Sequence, residues 1–287
     1  MKEKIIIDTD PAIGVPLRDV DDGLAIAMAL NSPELEVVGL TLTYGNAGLR
    51  SVKRSARRLM KAAGREDVPV LAGARSRRDL GKDTNASRFI EETLNAKPGE
   101  VSLLTLGPLT NVATAEKKSP GTLRNARRVV TMGGAVYGPM FGIPIFPAEF
   151  NFRNDPPADA VFLGAVEGLV MVPCDLTVRV AFRRKYMKRL REAGTRLANF
   201  IYKECVPWYA LTSTVMMRDG FPPHDPLAVG WMLRPELFET KTENLKVVER
   251  GLRRGALEHD ESGIPVTVTT DVYEEEFLEL LVERLTA

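Results

Sequence analysis

The stretch Ile5-Ile6-Ile7-Asp8-Thr9-Asp10-Pro11, taken up again at Asp21-Asp22-Gly23-Leu24-Ala25, decides how this chain is read. Residues 5–7 form a β-branched run, which predicts a buried strand whose carboxyl end presents Asp8 and Asp10. After a loop containing Gly14 and Pro16, Asp21 and Asp22 open residues 23–30, which are apolar on nearly every face. That pattern predicts a buried helix with acidic residues at its positive end.

Outward from this unit the alternation repeats. Residues 35–43, 68–71, 101–106, 128–132 and 168–172 read as strands. Residues 51–63 and 110–117, and a segment starting at Pro156, read as helices, the first stopped by Gly64. Strands alternating with helices predict an open, mainly parallel α/β sheet flanked by helices. Ligands bind such sheets at the carboxyl ends of the strands. Asp8-Thr9-Asp10, Tyr44-Gly45-Asn46, Leu106-Gly107-Pro108 and Met132-Gly133-Gly134 all fall at that edge. Beyond about residue 183 the character turns helical, with a basic helix at 183–192 and a longer one at 195–211 carrying Tyr202, Trp208 and Tyr209. Two β-rich runs, at 245–248 and 266–270, and an amphipathic helix at 274–285 follow. No repeat or linker breaks the chain, so a single domain over residues 1–287 with a helical insertion is expected.

Lys plus Arg number 39 and Asp plus Glu 38, a balance of +1 that removes the simplest case for a nucleic-acid partner. Hydrophobic residues at 44% and charged residues at 27% argue for a globular chain and against disorder. Cys174 and Cys205 are too few for a disulfide framework or a four-cysteine zinc site. With only His224 and His259, a His-rich metal site is not expected either, and any metal should be a hard, oxygen-loving one. Neither a secretory leader nor a membrane span is visible, so a cytoplasmic protein with no membrane partner is expected.

Asp8, Asp10, Asp19, Asp21 and Asp22 crowd one strand-to-helix turn. Ionised carboxylates confined together repel one another unless a cation neutralises them, and Ca²⁺, or the stricter Mg²⁺, suits such oxygens. The alternative is a solvated acidic loop capping a helix. His224, beside Asp225, is the best-placed candidate acid; otherwise it only orients that carboxylate. Trp208 offers a face for stacking on a flat ligand, or belongs to the core or a subunit interface. His259 sits in the polar run Glu258-His259-Asp260-Glu261 and is expected to be solvated.

Asp8-Thr9-Asp10-Pro11 with Asp21-Asp22-Gly23-Leu24-Ala25 resembles the N-terminal signature of the inosine-uridine type nucleoside hydrolases. The resemblance continues in order through Tyr44-Gly45-Asn46, Leu106-Gly107-Pro108-Leu109-Thr110-Asn111, Met132-Gly133-Gly134, Ala148-Glu149-Phe150-Asn151, Asp155-Pro156 and His224-Asp225-Pro226. It implies Ca²⁺-dependent hydrolysis of the N-glycosidic bond of a small ribonucleoside, and self-association as a homodimer or homotetramer. By position it implies that Asp10, Asp22, Asp225 and the Leu106 carbonyl hold the calcium, and that Asp10 holds and deprotonates the attacking water. It places Asp21, Asn46 and Asn151 on the ribose 2′- and 3′-hydroxyls and Glu149 on the 5′-hydroxyl. Met132 would line the ribose pocket, with Phe150 beside it.

The chain departs from the family pattern in places. Ala12 stands where the family has glycine, and residues 13–20 intervene and must loop out if Asp21 and Asp22 are to reach a metal. Asp19 is an extra carboxylate. The loop read at residues 74–97 lacks the family's substrate-contacting histidine, and no 5′-hydroxyl asparagine can be placed within residues 137–147. Two other classes compete. One is a Mg²⁺-dependent phosphohydrolase of the haloacid dehalogenase type, which wants Thr or Val where Ala12 stands. The other is a ribose- or calcium-binding module without turnover.

Overall fold

In the computed structural model, which describes residues 2–138, 148–214, 217 and 219–287, strand β1 (Glu3–Thr9) lies inside the sheet. It pairs in parallel with β2 (Leu35–Leu42) on one side and β4 (Val101–Thr105) on the other. Ile5 and Ile7 enter the core on one face and Ile6 enters the core on the other. A strand covered on both faces needs this unbroken apolar run. The chain passes from β1 to α1 (Asp21–Leu30), then β2, α2 (Leu49–Ala63), β3 (Val70–Ala72), α3 (Asn85–Ala96), β4, α4 (Thr110–Lys118) and β5 (Val129–Met132). It continues through α5 (Phe150–Asn154), α6 (Pro156–Ala165), β6 (Val170–Val172), α7 (Cys174–Thr177), α8 (Arg184–Glu192), α9 (Arg196–Thr214) and α10 (His224–Leu233). It ends with β7 (Phe238–Val247), β8 (Leu257–His259), β9 (Ile264–Val272) and α11 (Glu274–Thr286).

The nine strands form one sheet in the order β3-β2-β1-β4-β5-β6-β9-β7-β8. Every pairing from β3 through β9 is parallel, and β7 is antiparallel to both β9 and β8. This is the mainly parallel α/β sheet expected, with α8 and α9 as the helical insertion. Strand order reverses between β1 and β4, and a crevice opens at such a point outside the carboxyl ends. β1 ends there, which is why Asp10 stands at the mouth of that crevice.

Helix α1 is buried from Asp21 to Ala29, so it packs on neighbours all round, α10 among them. Helix α2 is amphipathic: Val52, Ala56, Leu59 and Met60 face the core and Gly64 ends it at φ +66°. Residues 13–20 do loop out. Ile13 is buried against Gly23, its carbonyl accepts from Ser55 Oγ at 2.7 Å, and Leu17 projects at the tip. Asp21 and Asp22 therefore keep their place at the sheet edge despite the extra residues.

Three readings need correction. Residues 74–97 are not a loop throughout: α3 occupies the second half of the segment, started by a capping box in which Thr84 and Ser87 satisfy each other's backbone N–H groups. The capping residue at N3 is Ser rather than Glu or Gln, so the usual signature is absent. Helix α5 was not expected, because Glu149 caps it through a turn too short to show periodicity. His259 closes β8 rather than sitting in a turn; it is exposed, as expected, while its ring pairs with Glu243 at 3.2 Å and meets the Val136 carbonyl at 3.2 Å. The part of the 137–147 reading that falls on residues 139–147 lies outside the described residues.

Asn111 ties the site end of the sheet together. Its amide donates to Asp8 Oδ1 at 2.9 Å and the Leu42 carbonyl at 3.2 Å, and its oxygen accepts from the Ala74 N–H at 2.8 Å. Asn111→Ala should cost about 2–4 kcal/mol, because buried groups of three segments lose their partner at once. Urea unfolding measures this; a loss below about 0.5 kcal/mol would mean that water replaces the amide fully.

Candidate functional site

The twelve residues to which the sequence assigns a site role line one cavity of about 480 Å³ at the carboxyl ends of β1, β4 and β5; Asp8 and His259 do not. Its floor is acidic. Oxygens of Asp21 and Asp22, from the first turn of α1, and of Asp225, from α10, lie within 4.8 Å of one another. Asp22 is the most strongly hydrogen-bonded of the three. It accepts from Thr9 Oγ1, from the Asp10 N–H at 3.0 Å and from the Asn46 amide at 3.3 Å. Asp10 borders Asp22 and accepts from the Asn46 backbone N–H. A Cβ on Gly45 would strike Asp10 Oδ2, and one on Gly107 would come within 2.6 Å of Oδ1. The two glycines thus hold the Asp10 carboxylate between bare backbones. Asp21, expected on the ribose, joins the tight trio, whereas Asp10, expected on the metal, stands next to it.

Burial is the largest cause raising the carboxyl groups of Asp10, Asp21, Asp22 and Asp225 above their ordinary range. Repulsion from neighbouring carboxylates adds to it at Asp10, Asp21 and Asp225. Three donors oppose it at Asp22, where the Asp225 carboxyl also hydrogen-bonds. Two carboxyls in such contact need a proton between them or a cation that replaces it. The donor set is all oxygen and suits a hard divalent cation.

Next to the acids, Glu149 is buried and accepts from the backbone N–H groups of Gly134 at 3.0 Å, Asn151 at 2.9 Å and Phe152 at 3.2 Å. These bonds fix its carboxylate at the start of α5, which carries Phe150 and Asn151 into the cavity. The Asn151 amide donates to the Leu106 carbonyl at 2.9 Å and, more weakly, to that of Met132 at 3.4 Å. The Leu106 carbonyl is thus aimed at the cavity and already engaged by Asn151.

A further wall comes from α9 and the start of α10. His224 opens α10, and its Nδ1 sits 2.6 Å from Thr177 Oγ1. That contact steadies the ring through Thr177 of α7. Trp208 and Thr212, on α9, and Pro222 complete this wall. Asp19 is a further acid in the cavity; its oxygen lies within 4.8 Å of Asp21 and His224. Cys174 also lines the cavity, but burial pushes its thiol well up, which makes it a poor nucleophile.

Thr9, Gly45, Gly107, Thr177, Thr212 and Pro222 were not read from the sequence as site residues. Thr9, Gly45 and Gly107 stand inside the quoted motifs, and Thr177 follows β6 by a few residues, so the strand-end rule marks all four. Thr212 and Pro222 carry no such local signal.

Among the described residues no helix is long and apolar enough to cross a membrane. Residues 5–279 match the family described as inosine-uridine preferring nucleoside hydrolase. A probable uridine nucleosidase 2 of Oryza sativa subsp. japonica is 32% identical over 88% of this chain and 81% of its own length. A plant nucleoside hydrolase, the PpNRh1 enzyme, superposes with a TM-score of 0.89 at 29% identity, covering 100% of both chains. A purine-preferring ribonucleoside hydrolase from Gardnerella vaginalis superposes with a TM-score of 0.88 at 26% identity, covering 99% of this chain and 98% of its own. With the family model matched over residues 5–279 and the fold shared along the whole chain, this chain belongs to the inosine-uridine preferring nucleoside hydrolase family and is a nucleoside N-ribohydrolase.

Proposed function

We propose that the cavity binds a ribonucleoside beside Ca²⁺ and hydrolyses its N-glycosidic bond to free base and ribose. The observation that carries this reading is the meeting of Asp21, Asp22 and Asp225 within 4.8 Å, with Asp10 held next to them. Asp10, Asp22, Asp225 and the Leu106 carbonyl would hold the ion, a mixture of carboxylate and carbonyl oxygens that suits calcium. When bound, the cation supplies positive charge that neutralises the floor and makes nearby water more acidic.

The remaining steps belong to side chains. Asp10 orients a water molecule and takes its proton. Breaking the C–N bond builds positive charge on the sugar, and the anionic floor and Glu149 stabilise it. Asp21, Asn46 and Asn151 clamp the 2′- and 3′-hydroxyls, Glu149 takes the 5′-hydroxyl, and Met132 and Phe150 bound the sugar. Fixing the ribose this way uses binding energy for positioning. Trp208 presents an apolar face to the base, and His224, steadied by Thr177, passes a proton to the departing base. Self-association as a homodimer or homotetramer and a cytoplasmic location belong to the same reading, by likeness to the family.

Chromatographic detection of free base from a panel of purine and pyrimidine ribonucleosides tests it. Product should form, stop with chelator and return on adding Ca²⁺. Tight binding of nucleoside without product would instead identify a binding module, and release of phosphate from phosphomonoesters would favour the phosphohydrolase reading.

His224→Ala should lower kcat for natural nucleosides by about 10²-fold, within the range of a general acid. It should leave hydrolysis of 4-nitrophenyl riboside, whose leaving group needs no proton, within about threefold of the parent enzyme. Equal losses on both substrates would assign His224 to structure instead.

A further inference from the structure

A second cavity, of about 480 Å³, shares no lining residue with the acidic one and carries four arginines on its lining: Arg77, Arg78, Arg250 and Arg254. They come from two segments far apart in sequence. Arg77 and Arg78 lie on the 3₁₀ turn Arg77–Asp79, and Arg250 and Arg254 on the loop joining β7 to β8. Among the described residues none of the four has an ion pair or a side-chain hydrogen bond, although the Arg77 charge acts on the Asp155 carboxyl from a longer distance. Three nearby carboxylates are engaged elsewhere, while Glu249 shares the lining. Asp79 holds Lys82 at 2.9 Å and the Arg75 N–H at 2.8 Å, Asp155 accepts from Thr110 at 2.6 Å, and Glu258 holds Arg253 at 2.7 Å.

Both arms are also fixed in place. The Gly81 N–H beyond the 3₁₀ turn donates to Thr114 Oγ1 at 2.9 Å, tying that arm to α4. On the other arm, Gly255 lies so close to α5 that a Cβ there would come within 2.6 Å of Arg153 Cα and the Phe152 carbonyl. The loop that carries Arg250 and Arg254 is therefore seated on the body of the protein.

We propose that this cavity is an anion site for a phosphate group, on inorganic phosphate or on a phosphorylated nucleoside. Four guanidinium groups against Asp155 and Glu249 leave a surplus of two positive charges, which matches a phosphate dianion. Planar N–H forks make arginine the residue suited to phosphate oxygens. The cavity volume lies in the range of small-molecule sites, so a nucleotide has room for its phosphate there. The site is separate from the nucleoside cavity, and the proposal does not depend on the reaction assigned to that cavity.

Calorimetric titration of the full-length protein with inorganic phosphate, with uridine 5′-monophosphate and with uridine tests it. Phosphate and the nucleotide should bind, and the Arg77→Ala/Arg254→Ala pair should weaken both by about tenfold or more while leaving uridine affinity unchanged. The Arg77→Lys/Arg254→Lys pair, which keeps the charge and loses the forks, should also weaken both. The ratio of nucleotide to phosphate affinity in the parent protein then identifies the source: near unity for free phosphate, well above it for a nucleotide. As a control, Arg50→Ala/Arg54→Ala on the basic face of α2 should change nothing. No phosphate binding at about ten-millimolar concentration would overturn the proposal. So would phosphate binding that is insensitive to the Arg77 and Arg254 variants, or binding lost in the α2 control. All of these variants sit at exposed positions, and circular dichroism confirms that they fold.

Discussion

Asp10→Asn should lower kcat by about 10³-fold or more, with the fold retained and nucleoside still bound. The amide is nearly isosteric with the carboxylate, so the seat between Gly45 and Gly107 and the N–H of Asn46 remain available to it. What it loses is the ability to take a proton from water. Asp10→Ala should be at least as inactive, and it removes the group that fills the gap between the two glycines. Single-turnover kinetics with matched binding measurements separate the effects: kcat should collapse while Kd for nucleoside changes by less than about tenfold. Turnover within tenfold of the parent enzyme would remove Asp10 from the chemistry. Gly45→Ala and Gly107→Ala should mimic the loss in part, since each forces the carboxylate out of its seat.

Removing the cation should have the second large effect, and it should depend on pH. Asp8 is fully buried on β1 beside the site, and burial lifts its carboxyl to about 7, against the opposing hydrogen bonds from Thr41 and Asn111. Asp10, Asp21 and Asp225 are raised as well, by burial first and by the charge of neighbouring carboxylates second. In the unfolded chain these groups have released their protons above about pH 4. The folded metal-free protein still holds the proton on Asp8, so stability from this group is present at low pH and lost as pH rises through 7. The chelated protein should therefore melt at a lower temperature at pH 8 than at pH 5. Ca²⁺ replaces protons on the floor, so its stabilising shift should be small at pH 5 and several degrees larger at pH 8. Differential scanning calorimetry across this range, with and without chelator, measures both. A Ca²⁺ shift that shrinks with rising pH would contradict the reading.

Much of this was legible in the sequence, for a physical reason. The sheet is parallel and doubly covered, so β1 and α1 had to be apolar throughout, and the carboxyl ends of the strands had to collect the polar residues. That rule places Asp10, Asn46, Leu106 and Met132 at the rim from the sequence alone. The helix α3 stayed hidden because its cap pairs Thr84 with Ser87, not with an acid. The pinning of His224 by Thr177 was also hidden, since it joins residues 47 positions apart across two short helices. Asp19 could be seen as an extra acid, but its nearness to both Asp21 and His224 depends on how residues 13–20 loop out, which spacing does not specify.

The central claim is that Asp10, Asp22, Asp225 and the Leu106 carbonyl share one divalent ion beside a pentose. Diffraction from crystals grown with Ca²⁺ and ribose, recorded at a wavelength where calcium scatters anomalously, tests it most directly. The account predicts a single strong anomalous peak within coordination distance, about 2.3–2.6 Å, of oxygens from all four residues, with ribose hydroxyls beside it. A peak held by Asp19, Asp21 and His224 instead, or ribose bound with no ion at the floor, would contradict it.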